Sequence, residues 1–126
     1  MHAGSLDELL VYQRALEAAD AVSAILERPS LRRDFELRGQ LAECSSRIPA
    51  HISEGFGQKT DRHCAHYQYI ARGSCNEMQT HLKVACGRNH ITAEERASLV
   101  DRYVVIGKML TQWIKHLNRE NRPLRG

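Results

Sequence analysis

The fold turns on Leu37-Arg38-Gly39-Gln40-Leu41-Ala42-Glu43-Cys44-Ser45-Ser46-Arg47-Ile48-Pro49-Ala50-His51-Ile52-Ser53-Glu54-Gly55. Leu37, Leu41, Cys44, Ile48 and Ile52 recur at three- and four-residue steps, the period of one helical face. Pro49 lies inside this pattern and removes the amide that would bond the Ser45 carbonyl. The apolar phase continues through it. The residues therefore predict one helix over about 34–57, kinked at Pro49 rather than split there. Gly55 or Gly57 would supply its C-terminal stop.

Upstream, Ser5 and Glu8 read as a capping box that opens a helix over about 5–28. Its stripe is Leu6, Leu9, Leu16, Ala19, Val22 and Leu26, widened by Val11, Ala15, Ala18 and Ile25. A stripe that broad predicts contact with more than one neighbour. Arg28-Pro29-Ser30 ends it, because proline disfavours a helical residue before it. Downstream, Thr60 reads as the N-cap of a helix over about 60–89, with Cys64, Tyr67, Ala71, Ser74, Met78, Leu82 and Ala85 turned inward. Ala71, Gly73 and Ser74 are small enough there to admit another backbone. Asn89-His90 makes a turn, and Thr92-Ala93-Glu94-Glu95 is a full capping box. The last helix, about 92–118, carries Leu99, Tyr103, Ile106, Leu110, Trp113 and Leu117 on one seam, and a basic tail over 119–126 follows. No strand pattern or internal repeat interrupts the series. Four such helices on short loops predict a single all-α domain over 1–126, an up-and-down antiparallel four-helix bundle.

A chain of 126 residues, 42% hydrophobic and 26% charged, suits one ordinary core. No apolar run approaches the roughly 20 residues that cross a bilayer, and Met1-His2-Ala3-Gly4-Ser5 does not open a secretory signal. A cytoplasmic location is expected. Cys44, Cys64, Cys75 and Cys86 show no C-x-x-C spacing and read as free thiols packed as small apolar groups. The net charge of +3 is unevenly divided. Residues 1–30 hold two basic and five acidic groups, whereas residues 58–90 hold five basic and two acidic ones. Basic segments favour anionic partners through counterion release.

Catalytic and metal chemistry find little to build on. His51 and Glu54 lie three apart on one helical face, but no second pair accompanies them, and a hydrogen-bonding pair at a helix end is the simpler reading. His63 and His66, beside Cys64, read as solvated histidines near a helix start. Cys44 or Cys64 can be paired with His51 or His66 only on paper, because no orienting third group or phosphate loop is evident. No catalytic residue, metal site or cofactor is expected. Glu54 and Glu77 either pair with Arg72 or Arg47 across helices or subunits, or stand solvated. Arg47, Lys59, Arg62, Arg72, Lys83 and Arg88, with Lys115, Arg119 and Arg122 at the C-terminal end, are the candidate nucleic-acid contacts.

Glu8-Leu9-Leu10-Val11-Tyr12-Gln13-Arg14-Ala15 resembles the L-x-V-aromatic-Q-basic-A opening of the four helix bundle protein family. Those proteins were first recognised as products of intervening sequences inside bacterial 23S ribosomal RNA genes. Gln40-Leu41 followed by Ile48-Pro49-Ala50-His51-Ile52-Ser53-Glu54-Gly55 looks like its Q-L … S-I-P-x-N-I-A-E-G signature. Ile70-Ala71-Arg72-Gly73-Ser74, with Glu77 after it, is similar to its I-A-x-G-S-x-x-E segment. The resemblance implies a bundle assembled as a ring, typically a homopentamer, with a basic surface for RNA and no enzymatic activity. A related branch, the accessory protein of diversity-generating retroelements, partners a reverse transcriptase and its RNA. The chain departs from the pattern in places. Ala42 and Glu43 stand where two arginines often follow Q-L, with Arg47 one turn on as a partial replacement; His51 and Ser53 replace the signature asparagine and alanine. Two functions are thus expected in competition: a ring-forming RNA-binding accessory protein, or an oligomeric protein-binding scaffold such as an accessory subunit of a reverse transcriptase.

Overall fold

The computed structural model describes residues 4–120. Five α-helices follow a 3-10 turn at Leu6–Glu8: α1 (Leu10–Leu26), α2 (Pro29–Arg33), α3 (Phe35–Phe56), α4 (Asp61–Gly87) and α5 (Ala93–Glu120). No strand occurs among the described residues. The four long helices form the bundle: α1 packs on α3 and α5, and α4 packs on the same two from the opposite corner. Short connections make consecutive long helices antiparallel, so the ends of α1 and α4 meet the starts of α3 and α5.

The helix starts divide into those that cap as expected and one that does not. Thr60 accepts from the His63 amide at 3.2 Å. Thr92 and Glu95 form the reciprocal box: the Thr92 amide donates to Glu95 at 2.9 Å, and the Glu95 amide donates to the Thr92 hydroxyl at 3.1 Å. The Ser5 side chain caps nothing. Glu8 instead accepts from the Gly4 amide at 3.0 Å, and Leu9 breaks the helix with ψ 113°. The first helix thus begins at Leu10 rather than near residue 5, with its phase reset. Val11, Ala15, Ala18, Val22, Ile25 and Leu26 are buried, whereas Leu16 is 42% exposed. The expected stripe through Leu16 was displaced toward the residues read as its margin. Pro29 does end α1, but it also starts α2, because a proline at the first helical position lacks only an amide that would be unbonded anyway.

Further along, the expected seams hold. Leu37, Leu41, Cys44, Ile48 and Ile52 are all buried, and α3 runs on through Pro49. Leu99, Tyr103, Ile106, Leu110, Trp113 and Leu117 are all buried on α5. Each large apolar side chain so enclosed contributes about 1.5–3 kcal/mol. In α4 the buried set includes Gln68, missed by an apolar count, while Tyr67 is only half-buried. Helix α4 closes with a Schellman motif. Asn89 has φ 63°, its amide bonds the Cys86 carbonyl, and the His90 amide bonds the Ala85 carbonyl, both at 2.9 Å.

Two glycines correct the expectation. Gly55 is no helix stop: α3 ends at Phe56, and Gly57 caps it with right-handed φ −81°. A Cβ on Gly55 would stand 3.0 Å from the Cys64 carbonyl oxygen and 2.9 Å from the Tyr67 Cβ, so this is where two backbones approach. Gly73, expected to admit a neighbour, faces open space with nothing within 4 Å of its Cβ position.

Candidate nucleic-acid interface

The basic candidates separate into three groups by the elements that carry them. Arg47, on α3, faces α4, where its Nη2 lies 3.2 Å from Glu77. Of the two readings left open for Glu77, paired with an arginine or solvated, the structure has the pair with Arg47. Glu54 is exposed and has no side-chain ion pair among the described residues. Arg88 lies at the loop end of the bundle and donates to Asp34 at 3.1 Å. Beside it, His90 Nε2 is 2.7 Å from the same carboxylate, and Arg28 pairs with Glu95 while donating to the His90 carbonyl at 3.1 Å. Hydrogen bonds from His90 and Arg88 lower the Asp34 pKa, and those from Arg28 and the Thr92 amide bring Glu95 down to about 2. That end is a clasp of neutralised charges.

Lys59 and Arg62 are exposed at the start of α4, where Thr60, Arg62, His63 and His66 border an open depression. His51 stacks on Tyr67 with ring centroids 6.5 Å apart, and no hydrogen bond joins it to Glu54 among the described residues. The helix-end pair expected for His51 and Glu54 is therefore replaced by ring stacking.

The third group runs along α4 and α5. Arg72 lies over the Tyr69 ring, its guanidinium carbon 5.0 Å from the centroid, and donates to the Thr111 hydroxyl at 3.3 Å. Tyr69 is 46% exposed and its hydroxyl accepts from Asn118 at 3.2 Å. These contacts hold an aromatic ring and a cation at the rim of an open groove of about 360 Å³ between the two helices, lined by Arg72, Asn76, Gln79, Lys108, Thr111 and Gln112 among others. Lys83 follows Arg72 by eleven residues, close to three whole turns, and therefore shares its face. Lys108 and Lys115, seven apart, likewise share one face of α5. From Arg102 to Arg119, α5 carries four cations and no acid. Arg119 lies in the last turn of α5, while Arg122 falls outside the described residues. Tyr69 and Lys108 were not singled out from sequence. The signals were their spacings to Arg72 and Lys115.

The thiols do not resemble activated nucleophiles. Cys44, Cys64 and Cys75 are buried and Cys86 half-buried. Burial pushes Cys44 and Cys75 up to about 12 and raises Cys64, which keeps all three protonated at neutral pH. Among the described residues no helix is long and apolar enough to cross a membrane.

Comparison with known proteins supports this architecture. No curated protein matches the chain significantly in sequence. A crystal structure of a protein with unknown function from the S23 ribosomal protein family of Bacteroides thetaiotaomicron superposes with TM-score 0.76 at 23% identity, covering 83% of this chain and 98% of that one. At that identity the likeness bears on the fold alone. The family model of the 23S rRNA-intervening sequence protein matches residues 7–112, a span from the first turn into α5 that contains every signature residue from Gln13 to Glu77. The chain belongs to the 23S rRNA-intervening sequence protein family.

Proposed function

We propose that this protein is a non-enzymatic accessory protein that binds structured RNA along its α4–α5 face. The observation that carries the reading is the exposed Tyr69 ring held under Arg72 at the rim of a groove that Lys108 also lines. An accessible ring offers a stacking surface for an unpaired base, and flanking cations take the phosphates. Lys83, Lys115 and Arg119 extend the positive track in both directions along the helices. Arg47 and Arg88 stand outside it, each paired with a carboxylate.

The test is fluorescence anisotropy with a hairpin RNA over a salt series. Binding should weaken steeply with salt, and Lys108→Ala with Lys115→Ala should lower the slope of log K against log salt by about 2. Tyr69→Ala should weaken binding about tenfold with little change in that slope. Absence of any binding at about 50 mM salt, or an unchanged slope in the double variant, overturns the reading.

The assembly expected of this chain, a homopentameric ring, belongs to the same proposal. Leu10 and Leu16 on α1 are 45% and 42% exposed, on an acidic helix at the corner opposite α4. Contacts between copies through α1 would leave the basic groove open. Light scattering that returns a monomer mass contradicts the ring. The same leucines would serve the alternative reading, a scaffold for a protein partner such as a reverse transcriptase, and binding to such a partner without RNA affinity would favour it.

A further inference from the structure

On the opposite side of α4 from the RNA face, three metal-ligating side chains of different chemistry converge. Cys44 projects from α3, and Glu77 and His81 lie one turn apart on α4, the spacing at which two helical side chains reach one point. The Cys44 Sγ is 3.4 Å from Glu77 Oε2, and His81 Nε2 is 3.7 Å from Glu77 Oε1. One donor atom from each of the three falls within 4.8 Å of the others. Zinc bonds of about 2.0–2.3 Å set tetrahedral ligand edges of roughly 3.3–3.8 Å, the range of the two measured contacts, each of which is made to a different oxygen of the Glu77 carboxylate.

We propose that Cys44, Glu77 and His81 form a three-ligand zinc(II) site that ties α3 to α4 and leaves a fourth position for water. Thiolate, imidazole and carboxylate together suit zinc or its spectroscopic substitute cobalt(II), whereas magnesium and calcium take oxygen ligands. On binding, the sulfur–metal bond forms as the thiol proton leaves to solvent. Arg47 is the resident cation that the metal must displace from Glu77. Its head is partly exposed, and its buried Nε has no hydrogen-bond partner, so it closes the cluster incompletely. The site owes nothing to the RNA reading, which concerns the other face of α4.

The experiment is titration of the full chain with cobalt(II), followed by displacement with zinc. One equivalent should bind, with a near-ultraviolet thiolate-to-cobalt band that zinc abolishes. Cys44→Ser should remove the band, and His81→Ala or Glu77→Gln should weaken binding at least about tenfold. Arg47→Gln should tighten it by removing the competitor. Glu77 is exposed, so Glu77→Gln leaves the core intact if Cys44→Ser fails to fold. Cys86→Ser should change nothing. No cobalt bound at millimolar concentration, or a band that survives in Cys44→Ser or follows Cys86, overturns the proposal.

Discussion

Helix α4 has two sides that the same sequence segment builds in opposite ways. Toward α3 it is closed: Gly55 lies against the Cys64 carbonyl and Tyr67, Gln68 is fully buried and donates to the Ile52 carbonyl at 3.4 Å, and Glu77 is engaged by Arg47. Toward α5 its outer edge is open. Arg72 and Tyr69 brace each other at a groove, and a Cβ on Gly73 would meet nothing within 4 Å. The signature residues therefore do not share one purpose. Those facing α3 have their reasons inside this chain, whereas Gly73 has no packing role within it.

The largest effect should come from Gly55. A methyl group there collides with Gln68 Nε2, which a side-chain shift can relieve, and meets a backbone oxygen at 3.0 Å, which it cannot. Gly55→Ala should cost about 1–3 kcal/mol, seen as a fall of several degrees per kcal/mol in a thermal melt followed by circular dichroism. Adding Gln68→Ala should recover part of any loss due to the nearest atom. An unshifted melting temperature in Gly55→Ala would show that α3 and α4 are not packed as described.

This contrast was half legible in the sequence. Seams on α3 and α5 were readable because leucine, isoleucine and tryptophan recur there with polar residues between. The Thr92–Glu95 start was readable because both partners of the box are local. Helix α1 misled, since leucines and alanines surround it and only the break at Leu9 decides which of them face inward. Helix α2 was missed because proline signals both an end and a beginning. Gly55 and Gly57 read as equal candidates for the stop, and only Gly57 serves, because nothing in a one-dimensional pattern distinguishes a terminating glycine from one pressed against another backbone. The RNA-face candidates suffered similarly: Arg47 and Arg88 are basic in sequence, but their partners Glu77 and Asp34 are thirty and fifty-four residues away. The Cys44, Glu77 and His81 cluster also needs two helices to be seen.

The loop end of α4, where its two sides meet, sharpens the comparison through pH. Asp34 and Glu95 are both held below their ordinary pKa, Glu95 at about 2 against 4.5, by the Arg28, Arg88 and His90 contacts. A depressed carboxylate stabilises the fold fully above its unfolded pKa and loses that contribution as pH falls through its folded one. Glu95 should therefore contribute throughout the neutral range and lose its effect between about pH 4.5 and 2. In Glu95→Gln the melting temperature at pH 7 should fall by less than in Gly55→Ala, and its decline across that acid window should be shallower than in the parent. A parallel decline in both proteins would mean that the clasp does not couple the α1–α2 junction to α5.

Gly73→Ala should give the smallest change, and in the opposite direction. Glycine inside a helix costs roughly 0.5–1 kcal/mol relative to alanine through backbone entropy, and no atom lies near enough to oppose the new methyl. The variant should melt slightly higher than the parent, while Gly55→Ala melts lower. That reversal within one set of signature glycines tests the two-sided reading of α4 more directly than either variant alone. It also separates packing from contact. If Gly73→Ala stabilises the chain yet reduces its mass in light scattering or its affinity for RNA, the glycine keeps that face open for something outside the chain. If stability rises and neither property moves, the open side of α4 makes no contact at Gly73, and the working surface lies at the groove on Arg72, Lys108 and Lys115.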